Sequence, residues 1–247
     1  MGLKDGHSNE ITGIAISADG RTLVTGSIDK SARLWDNADR VCRLLLDGHS
    51  GAVTSVAISA DGRLVATGSS DATARLWDGT NGDCMATLAG HSGAVTSVAI
   101  SADGRKVMTG SSDATAMLWD GANGQMLWDK SGMQSFISHA GAIIGVAISA
   151  DGLMVATLTH DGIIKQLKLG MTPLMLNLPR SRAFEGRSVT VSCVAISRDG
   201  MVWTGSSDKT VRLWDLANKQ CTLTIEGNAI PDDEYVFLCS DRSRPFL

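Results

Sequence analysis

Residues 48–78 read GHSGAVTSVAISADGRLVATGSSDATARLWD, and residues 90–120 read GHSGAVTSVAISADGRKVMTGSSDATAMLWD. Twenty-eight of these 31 aligned residues are identical. The same frame fits residues 6–36, 138–168 and 186–215 with more substitutions. A repeat of this length indicates that the chain is built from stacked copies of one supersecondary unit.

Each unit carries four strand signals separated by turns. In the second unit, the apolar and β-branched run 53–59 is followed by the turn Ala60-Asp61-Gly62, and further strand-like runs cover 63–69, 73–77 and 83–88. A four-stranded antiparallel sheet with two apolar faces cannot bury both of them alone, so successive sheets must stack face to face. The sequence therefore predicts an all-β chain of propeller blades.

The motif residues resemble the WD40 repeat family. A Gly-His pair opens the unit, a Trp-Asp pair closes its third strand, and His49 and Trp77 are 28 positions apart, as are His7 and Trp35 and also His91 and Trp119. The resemblance implies a β-propeller of WD40-type four-stranded blades, usually seven, that serves as a rigid platform for protein assembly and peptide recognition. We expect a repeat domain over residues 1–226, and a degenerate partial sixth repeat with a tail over 227–247.

The number of repeats leaves closure of the ring open. Five complete repeats are fewer than the family's usual seven, and only residues 1–5 precede the first Gly-His pair. In the family, an N-terminal segment ordinarily completes the last blade. We expect an open arc, a strained small ring, or a ring completed by another chain, with self-association through exposed blade edges.

The resemblance also implies a hydrogen-bonded tetrad in each blade. In it, the tryptophan indole N–H donates to a threonine, the threonine to a histidine, and the imidazole to an aspartate. The first three repeats hold complete sets, the fourth has Leu167 in place of tryptophan, and the fifth has Arg187 in place of histidine. The sets are Trp35, Thr25, His7 and Asp29; Trp77, Thr67, His49 and Asp71; Trp119, Thr109, His91 and Asp113; Thr157, His139 and Asp161; and Trp214, Thr204 and Asp208.

A Thr-His-Asp set could also be a nucleophile, a base and an orienting acid. Recurrence argues against that alternative, because an enzyme needs one exposed and differentiated site, whereas a fold requirement repeats in every blade. No spacing typical of a metal site occurs, and three of the five cysteines share one position in the repeat that methionine or leucine takes elsewhere, which indicates packing. We expect no cofactor and no catalytic residue.

Partner recognition has two candidate locations. The resemblance implies a rim built from the residues three and five after the histidine and the residue before the turn aspartate. Most rim residues here are small, and the second and third repeats present identical ones, so the non-repetitive sector is the stronger candidate. It includes the insertions 131–137 and 171–184, and its candidate binding residues are Phe136, His160, Met175, Arg180, Arg182, Phe184 and Arg187. The alternative is that both insertions are solvated connections.

Composition limits the other partners and the compartment. The net charge of −4 offers no basic surface for nucleic acid or an anionic membrane, and no run of 18 apolar residues occurs. Five cysteines cannot all pair, no Asn-x-Ser/Thr sequon is present, and the first residues are unlike a secretory signal. We expect a cytoplasmic or nuclear protein that binds other proteins or peptides.

The sequence therefore predicts a non-catalytic scaffold or adaptor for protein–protein interactions. Two alternatives stay open. The chain could be a fragment or a decayed propeller without an independent function, because its fourth blade has drifted and its sixth is incomplete. It could also be an enzyme whose pocket is not visible in the sequence.

Overall fold

The computed structural model describes residues 6–127, 137–169, 191–197, 200–215 and 220–226. They form nineteen strands and no helix, so no described segment is a membrane-spanning helix. The all-β prediction is confirmed. The first two sheets contain β1 (Ile11–Ile16), β2 (Thr22–Ser27), β3 (Ala32–Asp36), β4 (Val41–Leu46), β5 (Val53–Ile58), β6 (Leu64–Ser69), β7 (Thr73–Asp78) and β8 (Cys84–Ala89).

The remaining strands follow the same plan with local departures. The third sheet has β9 (Val95–Ile100), β10 (Lys106–Ser111), β11 (Thr115–Asp120) and β12 (Ile137–Ser138), and the fourth has β13 (Ile143–Ile148), β14 (Met154–Thr159) and β15 (Ile164–Lys168). The fifth has β16 (Val191–Ile196), β17 (Val202–Ser206), β18 (Thr210–Asp215) and β19 (Gln220–Glu226). Every sheet is an antiparallel meander in which sequence neighbours pair.

The third sheet corrects one expectation. The repeat pattern predicts that the insertion 131–137 follows the fourth strand of this blade, but Ile137 belongs to β12, which is itself the strand paired with β11. Earlier in the chain, Met126 forms a bridge with Trp119, and the Leu127 N–H donates to the Leu118 carbonyl. Two separate segments, Met126 with Leu127 and β12, therefore pair with β11.

Apolar side chains buried between consecutive sheets form the hydrophobic core. One apolar cluster lies between each pair of neighbouring sheets, so the molecule has four interfaces of similar composition. The first of them joins Leu34 and Leu46 of the first sheet to Val53, Val65 and Trp77 of the second. Each inner sheet packs one face against the sheet before it and the other face against the sheet after it. The hydrophobic core therefore lies between blades, and no blade has a core of its own.

Hydrogen bonds also join consecutive sheets. The Thr12 hydroxyl donates to the Val53 carbonyl over 2.6 Å, the Thr54 hydroxyl donates to the Val95 carbonyl, and the Thr96 hydroxyl donates to the Ile143 carbonyl over 2.6 Å. Thr12, Thr54 and Thr96 are three of the positions that the resemblance assigns to the partner-binding rim. In this chain their hydroxyls bind the next blade.

The described sheets form an open arc. Among the described residues, no strand of the fifth sheet pairs with a strand of the first, and the apolar clusters link only consecutive sheets. Ile11 on the outward face of the first sheet is 57% exposed, whereas Val53, Val95 and Ile143 at the same repeat position are 0% exposed. The expectation of an incomplete ring is thus confirmed.

The threonine contact leads to a first prediction. We expect Thr54→Val to lower the free energy of unfolding by about 0.5 to 1.5 kcal/mol, because the Val95 carbonyl loses its hydroxyl donor between two blades. Urea denaturation of the full chain measures the change. Thr87→Val is the matched control, since Thr87 is exposed on the outer strand of the same sheet. Equal losses for both variants would show that the inter-blade bond contributes nothing.

Candidate functional site

The second blade shows the geometry of the predicted tetrad. Trp77 Nε1 donates to Thr67 Oγ1 over 2.9 Å, Thr67 Oγ1 lies 2.7 Å from His49 Nε2, and His49 Nδ1 lies 2.9 Å from Asp71 Oδ2. Because an indole nitrogen only donates, the threonine oxygen accepts from it and its own proton points to His49 Nε2. His49 Nδ1 then carries the ring proton and donates it to the carboxylate.

The strands bring these four side chains together through the register of the sheet. Thr67 on β6 pairs with Arg75 on β7, and Val65 pairs with Trp77, so the indole lies one pleat along the strand from the threonine. The histidine lies before β5, and the aspartate lies in the turn after β6, where Ala72 adopts a φ of 67°. The positive φ belongs to the tight turn that carries Asp71 back toward the imidazole.

The first and third blades repeat this geometry. The tryptophan–threonine, threonine–histidine and histidine–aspartate distances are 2.8, 2.8 and 2.9 Å in the first blade and 2.9, 2.7 and 3.0 Å in the third. The threonine hydroxyls are buried, and Trp77 and Trp119 are almost fully buried. The structure thus brings together Trp35, Thr25, His7 and Asp29; Trp77, Thr67, His49 and Asp71; and Trp119, Thr109, His91 and Asp113.

Sequence reasoning missed a fifth member of this network. The Thr73 hydroxyl, two residues after Asp71, donates to Asp71 Oδ1 over 2.6 Å, and the Thr73 and Ser50 backbone N–H groups also donate to the same carboxylate. Ser31 and Thr115 do the same in the neighbouring blades. The signal in the sequence was a hydroxyl residue two positions after the turn aspartate in these three repeats.

The electrostatics favour an ionised aspartate and a neutral imidazole. Burial raises the pKa of Asp113, but hydrogen bonds from Thr115, Ser92 and His91 outweigh burial and lower the pKa to about 2. Burial lowers the pKa of the His91 imidazole, although Asp113 acts in the opposite direction. In the second blade, the pKa of Asp71 is likewise lowered by its hydrogen bonds, and the pKa of His49 is likewise lowered by burial. A carboxylate therefore accepts from a neutral ring, as the hydrogen-bond directions require.

The fourth blade does not complete the predicted hydrogen bonds from Thr157 through His139 to Asp161. His139 Nε2 lies 2.7 Å from Thr157 Oγ1, but His139 Nδ1 is buried without a hydrogen-bond partner, and Asp161 instead accepts from the Thr159 hydroxyl. The reason lies at Ile163, which occupies the position of Thr73 and has no hydroxyl to hold the carboxylate. Burial, together with Lys165, lowers the pKa of His139 to about 4.

The fifth blade keeps half of the network. Trp214 Nε1 donates to Thr204 Oγ1 over 2.9 Å, as in the complete blades. Asp208 accepts from the Thr210 hydroxyl over 2.6 Å, and its other oxygen accepts from the Arg212 guanidinium over 2.8 Å. Arg187, predicted at the histidine position, lies outside the described residues. In this blade, Arg212 thus binds the aspartate carboxylate, which accepts from a histidine in the first three blades.

The predicted partner-binding residues are only partly described. His160 is exposed in the turn after β14, where its backbone N–H donates to the Ala142 carbonyl over 3.1 Å. Within the described part of the chain, no group of three or more His, Cys, Asp or Glu side chains could hold a metal ion. Phe136, Met175, Arg180, Arg182, Phe184 and Arg187 lie outside the described residues, and their role stays a prediction.

The comparisons with known proteins agree with this repeated geometry. The family described as "WD domain, G-beta repeat" matches residues 3–36, 40–78, 82–120 and 179–215, more than half of the chain. The chain therefore belongs to the WD40 repeat family. The matches leave out residues 138–168, where Leu167 and Ile163 replace the tryptophan and the turn hydroxyl.

Short segments also match individual proteins. The chain is similar to "WD repeat-containing protein 18" of Danio rerio, with 46% identity over 46 residues, and of Homo sapiens, with 47% identity over 45 residues. Each match covers 18% of this chain and 11% or 10% of the relative, respectively. The similarity is thus about one repeat long.

The buried tryptophan leads to a second prediction. Trp77 is 2% exposed, and Trp77→Ala removes both its apolar contacts with the first sheet and the donor to Thr67. We expect a loss of about 3 to 5 kcal/mol in the free energy of unfolding. Chemical denaturation measures it against Met85→Ala, which truncates an exposed side chain in the same sheet. A loss no larger than that of the control would contradict the structural role.

A third prediction concerns repair of the fourth blade. We expect Ile163→Thr to raise the free energy of unfolding by about 0.5 to 1.5 kcal/mol, because the new hydroxyl would hold Asp161 toward His139 Nδ1. The same change should raise the pKa of His139 from its low value, since the carboxylate stabilises the imidazolium. Denaturation and an NMR titration measure the two effects. Ile163→Val, which is β-branched without a hydroxyl, should produce neither; if it matches Ile163→Thr, the missing hydroxyl is not the cause.

Proposed function

We propose that the chain is a non-catalytic scaffold that mediates protein–protein interactions within multiprotein complexes. The observation that carries this proposal is that the Thr–His–Asp arrangement is buried and recurs at equivalent positions in three blades. Each threonine hydroxyl accepts from an indole and donates to an imidazole, so it has no proton left to transfer and no open side toward a substrate. Membership of the WD40 family, which is generally non-catalytic, supports the same function.

We further propose that partners bind the non-repetitive sector formed by the fourth and fifth blades and the residues that connect them. Two observations support this location. The threonines of the rim already donate to the next blade, which removes three polar anchors from that surface. The second and third blades also present nearly identical residues and cannot distinguish one orientation of a partner from another. Arg180 and Arg182, on either side of Ser181, would suit an acidic or phosphorylated peptide.

A fourth prediction tests this location. Quantitative affinity purification from the native cell should show that Arg180→Ala/Arg182→Ala and Phe136→Ala each reduce partner recovery. The expected loss is about 1 to 2 kcal/mol in binding, roughly five- to thirty-fold in affinity. The matched control is Ser70→Ala/Ser112→Ala, at two exposed rim positions. If the control variant weakens binding and the sector variants do not, the rim is the binding site.

The exposed face of the first sheet supports a second part of the proposal, self-association of the chain. Ile11 is exposed in the first blade at a position that is fully buried in the next three, and such apolar surface favours association. The alternative that the chain is a decayed propeller is tested at the same time. A cooperative unfolding transition in chemical denaturation contradicts that alternative, and the absence of such a transition supports it.

We also propose a reducing compartment, the cytoplasm or the nucleus. Cys42, Cys84, Cys193 and Cys221 are all free thiols in the structure, and Cys84 and Cys221 are exposed. Exposed free thiols persist where the thiol pool is reduced. Fractionation of the native cell tests the assignment, and recovery in the secreted fraction would overturn it.

A further inference from the structure

The open arc exposes two different apolar faces, one on each end blade. On the first blade, Ile11 is 57% exposed and Ile14 is 48% exposed. Val56, Val98 and Val146, which occupy the repeat position of Ile14, are all at least 92% buried against the preceding blade. The face that holds Ile11 and Ile14, here called the tail face, is therefore a copy of a surface that the chain buries three times elsewhere.

The fifth blade exposes the opposite surface. Leu46 and Leu88, at the ends of β4 and β8, are 1% and 0% exposed because the following blade covers them. Ile225 holds the same place on β19 and is 47% exposed, and Leu223 beside it is 44% exposed. This surface, here called the head face, is the copy of the one that receives the next blade.

At the contacts between consecutive blades, a glycine of one blade leaves a notch, and branched side chains of the next blade pack into it. A methyl group at Gly26 would lie 2.7 Å from the γ-methyl groups of both Val53 and Val56, so the second blade occupies the space that the missing side chain leaves. The same packing recurs at Gly68 against Val95 and Val98, and at Gly110 against Ile143 and Val146. Since Ile143 fills this notch in the third interface, an isoleucine is compatible with it.

The head face carries a glycine at the same repeat position, and among the described residues no side chain of another blade packs against it. Gly205 occupies the position of Gly68, and the one described atom within 4 Å of where its methyl group would be is Cys193 Sγ of the same sheet, at 2.7 Å, so an incoming side chain would pack beside this sulfur. Ile11 and Ile14 on the tail face are the equivalents of the two residues that fill the other notches. Gly205 on the head face thus lacks the branched side chains of a following blade. Ile11 and Ile14 on the tail face lack the glycine of a preceding blade.

Polar groups match in the same register. Thr96 donates from its hydroxyl to Gly110 of its own sheet over 3.0 Å and to the Ile143 carbonyl of the next blade over 2.6 Å. Ser192 holds the equivalent position in the fifth blade and already makes the contact within its own sheet, to the Gly205 carbonyl over 3.2 Å. The Ile11 carbonyl is the equivalent of the Ile143 carbonyl on the tail face.

We propose that two copies of this chain associate head to tail, with Ile11 and Ile14 of one copy packed into the Gly205 notch and against Ile225 of the other. This inference rests on the proposed self-association and states which surfaces meet. A head-to-tail junction is heterologous, so it leaves one head face and one tail face unused and can add further copies, either as a closed ring or as an open filament. Its core would repeat the packing of the three interfaces that contain a glycine notch.

Two substitutions at exposed positions test the proposal on the full chain. Ile14→Lys blocks the tail face, and Ile225→Lys blocks the head face. Each variant alone should sediment as one chain of 25.9 kDa at concentrations where the wild type forms larger species. An equimolar mixture should form a complex of two chains and nothing larger, because one functional head and one functional tail are left between them. Met85→Lys, at an exposed position of the second blade, should behave as the wild type, and circular dichroism checks that every variant is folded.

The outcomes separate this inference from the wider proposal. If Ile225→Lys still associates alone while Ile14→Lys does not, two tail faces pair with each other, which overturns the head-to-tail arrangement and leaves self-association intact. A mixture that stays monomeric while the wild type associates also overturns it. A wild type that remains a single chain at all concentrations overturns both, and would indicate that another part of the chain or a different protein covers the end faces. The partner-binding prediction is unaffected in each case.

Discussion

The hydrogen bonds that lead from the Trp77 indole through Thr67 and His49 to Asp71 are the interaction on which a complete blade depends. Stacking two apolar faces removes the interior of each sheet from water, and every polar group left there must find a partner or destabilise the fold. The four side chains come from the segment before β5, from β6, from the turn after it and from β7. Their hydrogen bonds therefore connect the inner three strands of the blade independently of the backbone ladders.

The drifted blades show what happens when one member of this network is lost. In the fourth blade, Ile163 cannot hold Asp161, the carboxylate pairs with Thr159, and His139 Nδ1 is buried without a partner. In the fifth, Arg212 takes over the carboxylate of Asp208. Both sheets still stack on their neighbours through the same apolar positions. The apolar stacking is thus present in blades whose polar network is incomplete.

Most of the fold could be predicted from the sequence because each blade repeats one pattern of strands and turns. The strands β5 to β7 differ from the predicted runs by one residue at an end. The polar side chains of the first three blades, such as His49, Thr67 and Asp71, were implied by the resemblance to the WD40 family. Two features could not be predicted. The pairing of β12 with β11 depends on where pairing resumes after an insertion, and the hydrogen bonds from Thr54 and Thr96 to the next blade depend on contacts between repeats. The role of the Thr73 hydroxyl had a signal in the recurring hydroxyl residue at its position, but its partner is visible only in the structure.

The central claim is that a neutral imidazole, protonated on Nδ1, connects a buried threonine to an ionised aspartate in the second and third blades. NMR of the ring nitrogens in ¹⁵N-histidine-labelled protein tests it most directly, because the shifts of Nδ1 and Nε2 distinguish the two neutral tautomers from the imidazolium. The account predicts that His49 and His91 are neutral Nδ1–H tautomers at pH 7 and stay neutral below their ordinary pKa, since burial lowers it. An Nε2–H tautomer or a charged ring at pH 7 would reverse or remove the hydrogen bonds to Thr67 and Asp71 and would contradict the account.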